Sequence, residues 1–327
     1  MKLKFLSFFI GAIILVLIVY FSGINEVVHI ILRSDLTFLI LATLCFFFSV
    51  FLKSLRWLYF LKSVNIKIPY SHAFYSFNSA MFIGNLVPFK AFEFLRGYFL
   101  KLKFKIHASR TVPLVLTERA LDVFVYILFS LTALQAIAKF LPSHIITLAF
   151  FGMVFFFSIS ILTLFALNSK KFMLLFLRIT IKLPIIKKFS KDLSEVVRNF
   201  SIGFTQLKNS QMLSRIFLLT FLIWILECLI FLFSIKAVGI KLPLVFFTLP
   251  LISVLLGSLT FIPGGLGSIE AILVFLLSSL GVPIPQATSA VLIYRTLVHF
   301  CENSIGAITI SQIYGFDVLK KLISDFR

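Results

Sequence analysis

Two places in this chain set charged side chains beside helix breakers inside apolar sequence. The first carries Asn85, Pro88, Glu93 and Arg96; the second reads Phe261-Ile262-Pro263-Gly264-Gly265-Leu266-Gly267-Ser268-Ile269-Glu270. Backbone that leaves the helix at membrane depth must be buried in protein or line a cavity, because lipid satisfies no free N–H or C=O. An ionisable residue in such a place is a candidate functional group. More follow in apolar sequence: Glu118, Arg119 and Asp122, then Arg295, His299 and Glu302, with Glu227 a lone acid. Glu93 and Arg96, three apart, share a helix face; Arg295, His299 and Glu302, spaced by four and three, are expected on one face of one helix. Arginine grips phosphate or carboxylate through a planar fork that lysine lacks, and half-helix N-termini favour anions.

The chemistry this suggests is recognition of a charged headgroup. Arg96, Arg119 and Arg295 would hold a phosphate, while Glu93, Glu118, Asp122, Glu270 and Glu302 would neutralise them in its absence or hold a cationic group. A plainer account stands beside it. Glu93 and Glu270 would then only offset a helix dipole, worth ~0.3–1 kcal/mol, Arg119–Asp122 and Arg295–Glu302 would be internal ion pairs, and His299 an interior histidine. An ionised residue at a helix centre costs about 2.5–3.5 kcal/mol even on a lenient insertion scale. Packing alone is therefore a poor account of the whole set.

The elements that must position these residues are membrane helices. The chain has 327 residues, 60% apolar and 13% charged, with a mean hydropathy of +1.10. The class is an all-α polytopic membrane protein, a single domain over 1–327 with about six full spans and two re-entrant hairpins, or about eight transmembrane segments. Basic clusters mark the inner side. Phe5–Phe21 is a retained first span, followed by a near-neutral outer loop Gly23–Asp35. Span two starts at Leu36 and ends among Lys53, Arg56, Lys62 and Lys67. Residues 70–99 lie between that cluster and a second one, Lys101, Lys103, Lys105 and Arg110, so they enter and return on one side. Spans Thr111–Ala138 and Ser143–Leu167 follow. A basic inner loop over about 169–215 carries an apolar stripe from Leu193 to Leu207, suited to a membrane surface or to the protein's own inner face. Span Ile216–Ile235 leads to a second hairpin, 242–281, entering from the opposite side, and Ala287–Ile310 is the last span. Both termini are expected in the cytoplasm, in a cell (inner) membrane.

The hairpins also share a spacing. Pro88 precedes Arg119 by 31 residues and Pro263 precedes Arg295 by 32; Glu93 precedes Arg119 by 26 and Glu270 precedes Arg295 by 25. Similar elements inserted from opposite sides are the mark of an inverted-topology repeat, whose substrate site lies near the midplane. The net charge of +19 is explained by basic loops on an anionic leaflet rather than by nucleic acid. Cys45, Cys228 and Cys301 have no metal or disulfide spacing. No HExxH, Walker A or Asp-x-Asp motif occurs, and Gly264-Gly265-Leu266-Gly267 follows an apolar helix rather than a strand. No catalytic residue, metal site or cofactor is expected.

These blocks resemble the transmembrane domain of the lysylphosphatidylglycerol synthase family, the flippase-like half of bacterial multiple peptide resistance factors. The family's first block is matched by Asn85, Pro88, Glu93 and Arg96, its Glu-Arg-x-x-Asp block by Glu118, Arg119 and Asp122. The Pro-Gly-Gly-x-Gly-x-x-Glu block is matched by Pro263, Gly264, Gly265, Gly267 and Glu270, with Gly281 and Arg295 following. Phe92 departs from the family's glycine. The resemblance implies lipid translocation without the fused aminoacyl-transferase activity. The partners would be membrane lipids (an anionic or aminoacylated phospholipid, or a polyprenyl phosphate) and a second copy of the chain. The alternatives are a membrane-embedded enzyme of lipid-linked glycan or envelope biosynthesis, using a Glu or His299 as base, and an accessory or scaffold protein.

Overall fold

The computed structural model describes residues 2–85, 93–106, 110–168, 210–260 and 262–315. Pro88, Phe92, Phe261 and the stripe Leu193–Leu207 lie outside the described residues. Among the described residues twelve α-helices carry the fold: α1 Lys2–Phe21, α2 Ile24–Leu32, α3 Leu36–Ser63, α4 Tyr70–Asn85, α5 Leu95–Phe104, α6 Val112–Ile137, α7 Ser143–Asn168, α8 Ser210–Ala237, α9 Leu249–Ser258, α10 Ser268–Ser279, α11 Ile284–Arg295 and α12 Glu302–Thr309. No strand occurs among the described residues. Among the described residues, four helical stretches are long and apolar enough to cross a membrane: Leu36–Ser63, Val112–Phe140, Ser143–Leu162 and Gln211–Ala237. A fifth crossing is available if α1 and α2 count as one bent span. The expected last span is an unbroken helical run from Ile284 to Tyr314, in which wider π turns at Thr296–Cys301 and Ile310–Tyr314 flank α12.

Residues Ile24–Leu32, read from the sequence as part of an outer loop, instead form a helix bent 84° from α1 at Gly23. Gly23 has φ +80°, a conformation that a side chain would resist. Val27 is buried, and Ser289 of α11 donates to its carbonyl at 3.3 Å, while Ile24, Val28 and Leu32 stay exposed. The spacing of four puts these three on one outward stripe. Asp35 caps α3 by accepting from Thr37 N–H at 2.8 Å.

Span two ends within the basic cluster, as the sequence implies: α3 stops at Ser63, between Lys62 and Lys67, but Lys53 and Arg56 lie inside the helix and are buried. Lys62 and Lys67 remain as the exposed charges at its end. Apolar sequence resumes after Arg56 with Trp57, Leu58, Phe60 and Leu61, all buried. Its packing keeps the helix going.

The two ends of α3 define two faces of the molecule. At its start Asp35 N–H donates to Ala237 O at 2.8 Å, so α8, its most extensive partner, runs antiparallel to it. Gln286 bonds Val238 O at 2.9 Å on the same face, and a cavity of about 590 Å³ there is lined by residues of α2, the end of α8 and the start of α11. At the other end one apolar cluster joins Leu61, Val64 and Ile66 to Ala73, Leu100, Leu114 and Ile216. The pair α4–α5 therefore opens on the second face, and the pair α9–α10, between Ile240 and Val282, opens on the first. Each limb is short. The 12 residues of α10 span ~18 Å at 1.5 Å each, against ~30 Å of hydrocarbon.

Opposed hairpins predict a labelling pattern. Cysteines replacing the exposed Asn25 and Lys241 should react with an impermeant thiol reagent on one side of a sealed membrane, and Lys103→Cys only on the other. Reaction of all three from one side would put both hairpin mouths on one face.

Candidate functional site

The buried charges gather into three clusters, and the largest is built on Glu118. Its carboxylate is fully buried on α6 and meets three arginines from three helices. Arg56 Nη2 of α3 donates to Oε1 at 2.7 Å, Arg96 Nη1 of α5 donates to Oε2 at 2.6 Å, and Arg119 Nη2 donates to Oε1 at 3.2 Å. Asp122, one turn further along α6, accepts from Arg56 Nη1 at 2.7 Å and from Trp224 Nε1 of α8 at 2.8 Å. Glu93 lies at the start of the α5 limb. Its Oε2 is 3.3 Å from Arg96 Nη2 and 3.1 Å from Arg119 Nε. The Arg96 guanidinium also lies over the rings of Phe77 and Trp57, at 4.3 and 5.1 Å from their centroids. Arg119 is the exposed member: 31% of its side chain is accessible, against 2% or less for its five partners.

The second cluster belongs to the other hairpin. Arg295 Nε donates to Glu270 Oε1 at 2.6 Å, and its Nη2 donates to Gly264 O at 3.1 Å. Here the break between α9 and α10 is gripped by the last helical run. Gly264, Gly265 and Gly267 all have positive φ, at +62°, +63° and +78°. Gly264 has no room for a side chain either: a Cβ there would lie 2.6 Å from His299 Cε1 and 3.3 Å from Asn85 O. Asn85, at the end of α4, donates to Asn303 Oδ1 of α12 at 2.8 Å. The end of α4 thus meets the break of the second hairpin, with Asn85 on one side and Gly264 on the other. Ser268 is the first residue of α10 and turns its hydroxyl back to Gly265 O at 3.1 Å.

The third cluster is one that the sequence did not suggest. Lys53 Nζ lies 2.9 Å from both Glu227 Oε1 and Glu302 Oε1. The anticipated Arg295–Glu302 pair does not form. A regular helix returns to the same face after seven residues, but the π turn at Thr296–Cys301 widens the coil between them. Arg295 faces α10, and Glu302 faces α3.

The candidates of the first hairpin and of α6 therefore converge: Glu93, Arg96, Glu118, Arg119 and Asp122 form one network. Glu270 and Arg295 form their own, with Pro263 and Gly265 buried in the break beside them. Sequence reasoning missed Lys53 and Arg56 as members, although both stand in apolar sequence three residues apart, as Glu93 and Arg96 do. One property links the half-helix acids: Glu93 Oε1 and Glu270 Oε2 are buried without a hydrogen-bond partner. Each acid engages its arginines through one oxygen and leaves the other empty.

Comparison with known proteins gives a consistent picture. The family described as lysylphosphatidylglycerol synthase TM region matches residues 5–300. A UPF0104 membrane protein of Pyrococcus horikoshii is 24% identical over 94% of this chain and 96% of its own. A UPF0104 membrane protein of Methanothermobacter thermautotrophicus is 24% identical over 96% of each chain, and one of Methanocaldococcus jannaschii is 28% identical over 70% of this chain and 92% of its own.

The Glu118 network predicts an uneven cost of mutation. Glu118→Ala leaves three arginines to share the two carboxylates of Glu93 and Asp122 and should lower stability by about 3–5 kcal/mol, the usual cost of breaking a buried ion pair from one side. Arg119→Gln, at the exposed edge, should cost clearly less. Thermal unfolding of the purified protein in detergent measures both, and equal losses would remove Glu118 from the centre.

Proposed function

From the premise that this chain belongs to the lysylphosphatidylglycerol synthase transmembrane-region family, we propose that it moves a phosphate-bearing lipid between the two leaflets of its membrane. The chain is a multi-pass membrane protein. The observation that carries the reading is the meeting of two oppositely directed hairpins, Asn85 against Gly264, beside clusters of buried ion pairs. A site at such a junction lies at comparable depth from either face, which is what alternating access requires. In this reading the membrane is the cell membrane, and the face bearing Lys101, Lys103 and Lys105 is cytoplasmic, together with both termini.

The ion pairs suggest how a headgroup is taken up. Every arginine in the clusters already has a carboxylate, so a phosphate enters only by replacing one. Arg119 is the accessible fork, and the carboxylate it releases is Glu93. A released buried carboxylate is costly unless it gains a new partner. A headgroup carrying both a phosphate and a cationic or donor group meets both needs at once, with the empty Oε1 of Glu93 available to it. That favours zwitterionic or aminoacylated phosphate lipids over purely anionic ones. The lipid tails stay in the bilayer, and no bond is made or broken.

The test is leaflet exchange of labelled lipids by the protein in liposomes, with the lipids analysed chemically afterwards. The expected result is exchange of intact lipid; a changed lipid would mean an enzyme, and neither would mean a scaffold. Arg119→Lys should slow exchange by ~10-fold or more, since a hydrogen bond to a charged group is worth ~1.5–3 kcal/mol, and leave the melting temperature nearly unchanged. Undiminished exchange in that variant would place the headgroup elsewhere.

A further inference from the structure

Among the described clusters one charge is left unbalanced, and it lies in one place. The Glu118 network sets Glu93, Glu118 and Asp122 against Arg56, Arg96 and Arg119, and Glu270 answers Arg295 one to one. Lys53 alone faces two carboxylates, Glu227 and Glu302. All three are buried, so with every group ionised the triad holds one uncompensated negative charge away from water. Such a charge is costly enough that a buried group gives it up by changing protonation. A metal ion does not suit this ligand set, because the Lys53 ammonium already occupies the position between the two carboxylates.

The two acids differ in their surroundings. Glu227 Oε1 accepts from Ser49 Oγ at 2.5 Å and lies 2.9 Å from Lys53 Nζ, so it has two neighbouring donors. Glu302 Oε1 is held by Lys53 at 2.9 Å, without a neighbouring hydroxyl among the described contacts. Glu302 also follows directly on the π turn, an irregularity found mostly at functional sites. An independent observation shows the same seam to be short of donors. Asn78 of α4 is fully buried, spends its amide N–H groups on Ser54 Oγ and Phe74 O, and leaves Oδ1 with no donor. It stands between Ser54, the neighbour of Lys53, and Gly306, one turn past Glu302, where an added Cβ would lie 2.5 Å from Asn78 O.

We propose that Glu302 is a proton-binding site whose occupancy drives or gates lipid movement. Its carboxylate takes one proton from water on one face and becomes a neutral acid, and the triad passes from a net charge of −1 to zero. The same proton leaves to the opposite face when the contact between Asn85 and Gly264 rearranges. The coupling to transport rests on the function proposed above; the proton site does not. The titratable groups around the triad are Cys228, Tyr126 and Tyr294, which lie close enough to feel the Glu227 charge, and Arg295, His299 and Cys301, which precede Glu302 on its own helical run. Of the other elements packed there, α4 carries Tyr70, His72 and Tyr75 near its start, and α5 carries Arg96, which is held by Glu93 and Glu118.

Infrared titration of the full-length protein in lipid reads the site directly. A protonated-carboxyl band should appear on acidification, be lost in Glu302→Gln, and persist with a shifted midpoint in Glu302→Asp. Lys53→Met should move the midpoint to higher pH, because the ammonium that favours the ionised acid is gone; this variant serves if Glu302→Gln fails to fold. Glu26→Gln, on the far face, should leave the band intact. Absence of a titrating band, or its survival in Glu302→Gln, overturns the proposal whatever the transport assay shows. In liposomes an imposed pH gradient should change the rate of leaflet exchange in the natural protein, with that dependence lost in Glu302→Gln. Exchange indifferent to the gradient overturns the coupling. A titrating band without any exchange refutes the transport reading and leaves the proton site standing.

Discussion

One carboxylate holds the centre of this protein together. Glu118 is shared by arginines from α3 and α5 and by its neighbour on α6, so the position of each helix is set against a single buried charge. None of these groups is tolerable alone in an apolar interior, and removing one partner leaves the others stranded. The α5 limb is too short to cross a membrane and could not be fixed at depth by lipid contacts alone. Its Arg96, clamped by Glu118 and stacked on Phe77 and Trp57, ties it to the full-length helices.

The same constraint works differently in the second hairpin. There the grip falls on backbone as well as side chain, because Arg295 holds Glu270 with one nitrogen and the Gly264 carbonyl with another. The break at Pro263–Gly267 is thus stabilised by a charge that also fixes the helix following it. The two halves solve one problem, holding a half-helix N-terminus in place, with an acid–arginine pair each. They differ in what closes the pair off. The first network is wide and reaches the surface at Arg119; the second is a narrow contact sealed by buried neighbours.

Much of this was legible in the sequence. Proline and glycine in apolar surroundings announced the break at Pro263–Gly267, and the sidedness of the basic loops implied opposed hairpins, in keeping with the two faces found for their ends. What was not legible follows from two physical causes. Lys53 and Arg56 read as part of the basic cluster at the end of span two because a charge late in an apolar run ordinarily marks the water boundary; the partners that neutralise them come from α6, α8 and α12, distant in sequence. The division of Arg295 from Glu302 depends on a π turn, and residue spacing assumes a regular helix. In both cases tertiary packing overrode a local rule at the charged sites themselves.

The crosswise helix α2 bears on how deep the rest of the molecule sits. A short helix with Ile24, Val28 and Leu32 facing outward, and with Glu26, His29 and Arg33 lining a cavity, has the character of a segment lying in the plane of the headgroups. Because α2 is joined to α11 through Val27 and Ser289, and α11 ends at Arg295, the depth of α2 and the depth of the Arg295–Glu270 pair are not independent: whatever level the one takes, the other takes with it.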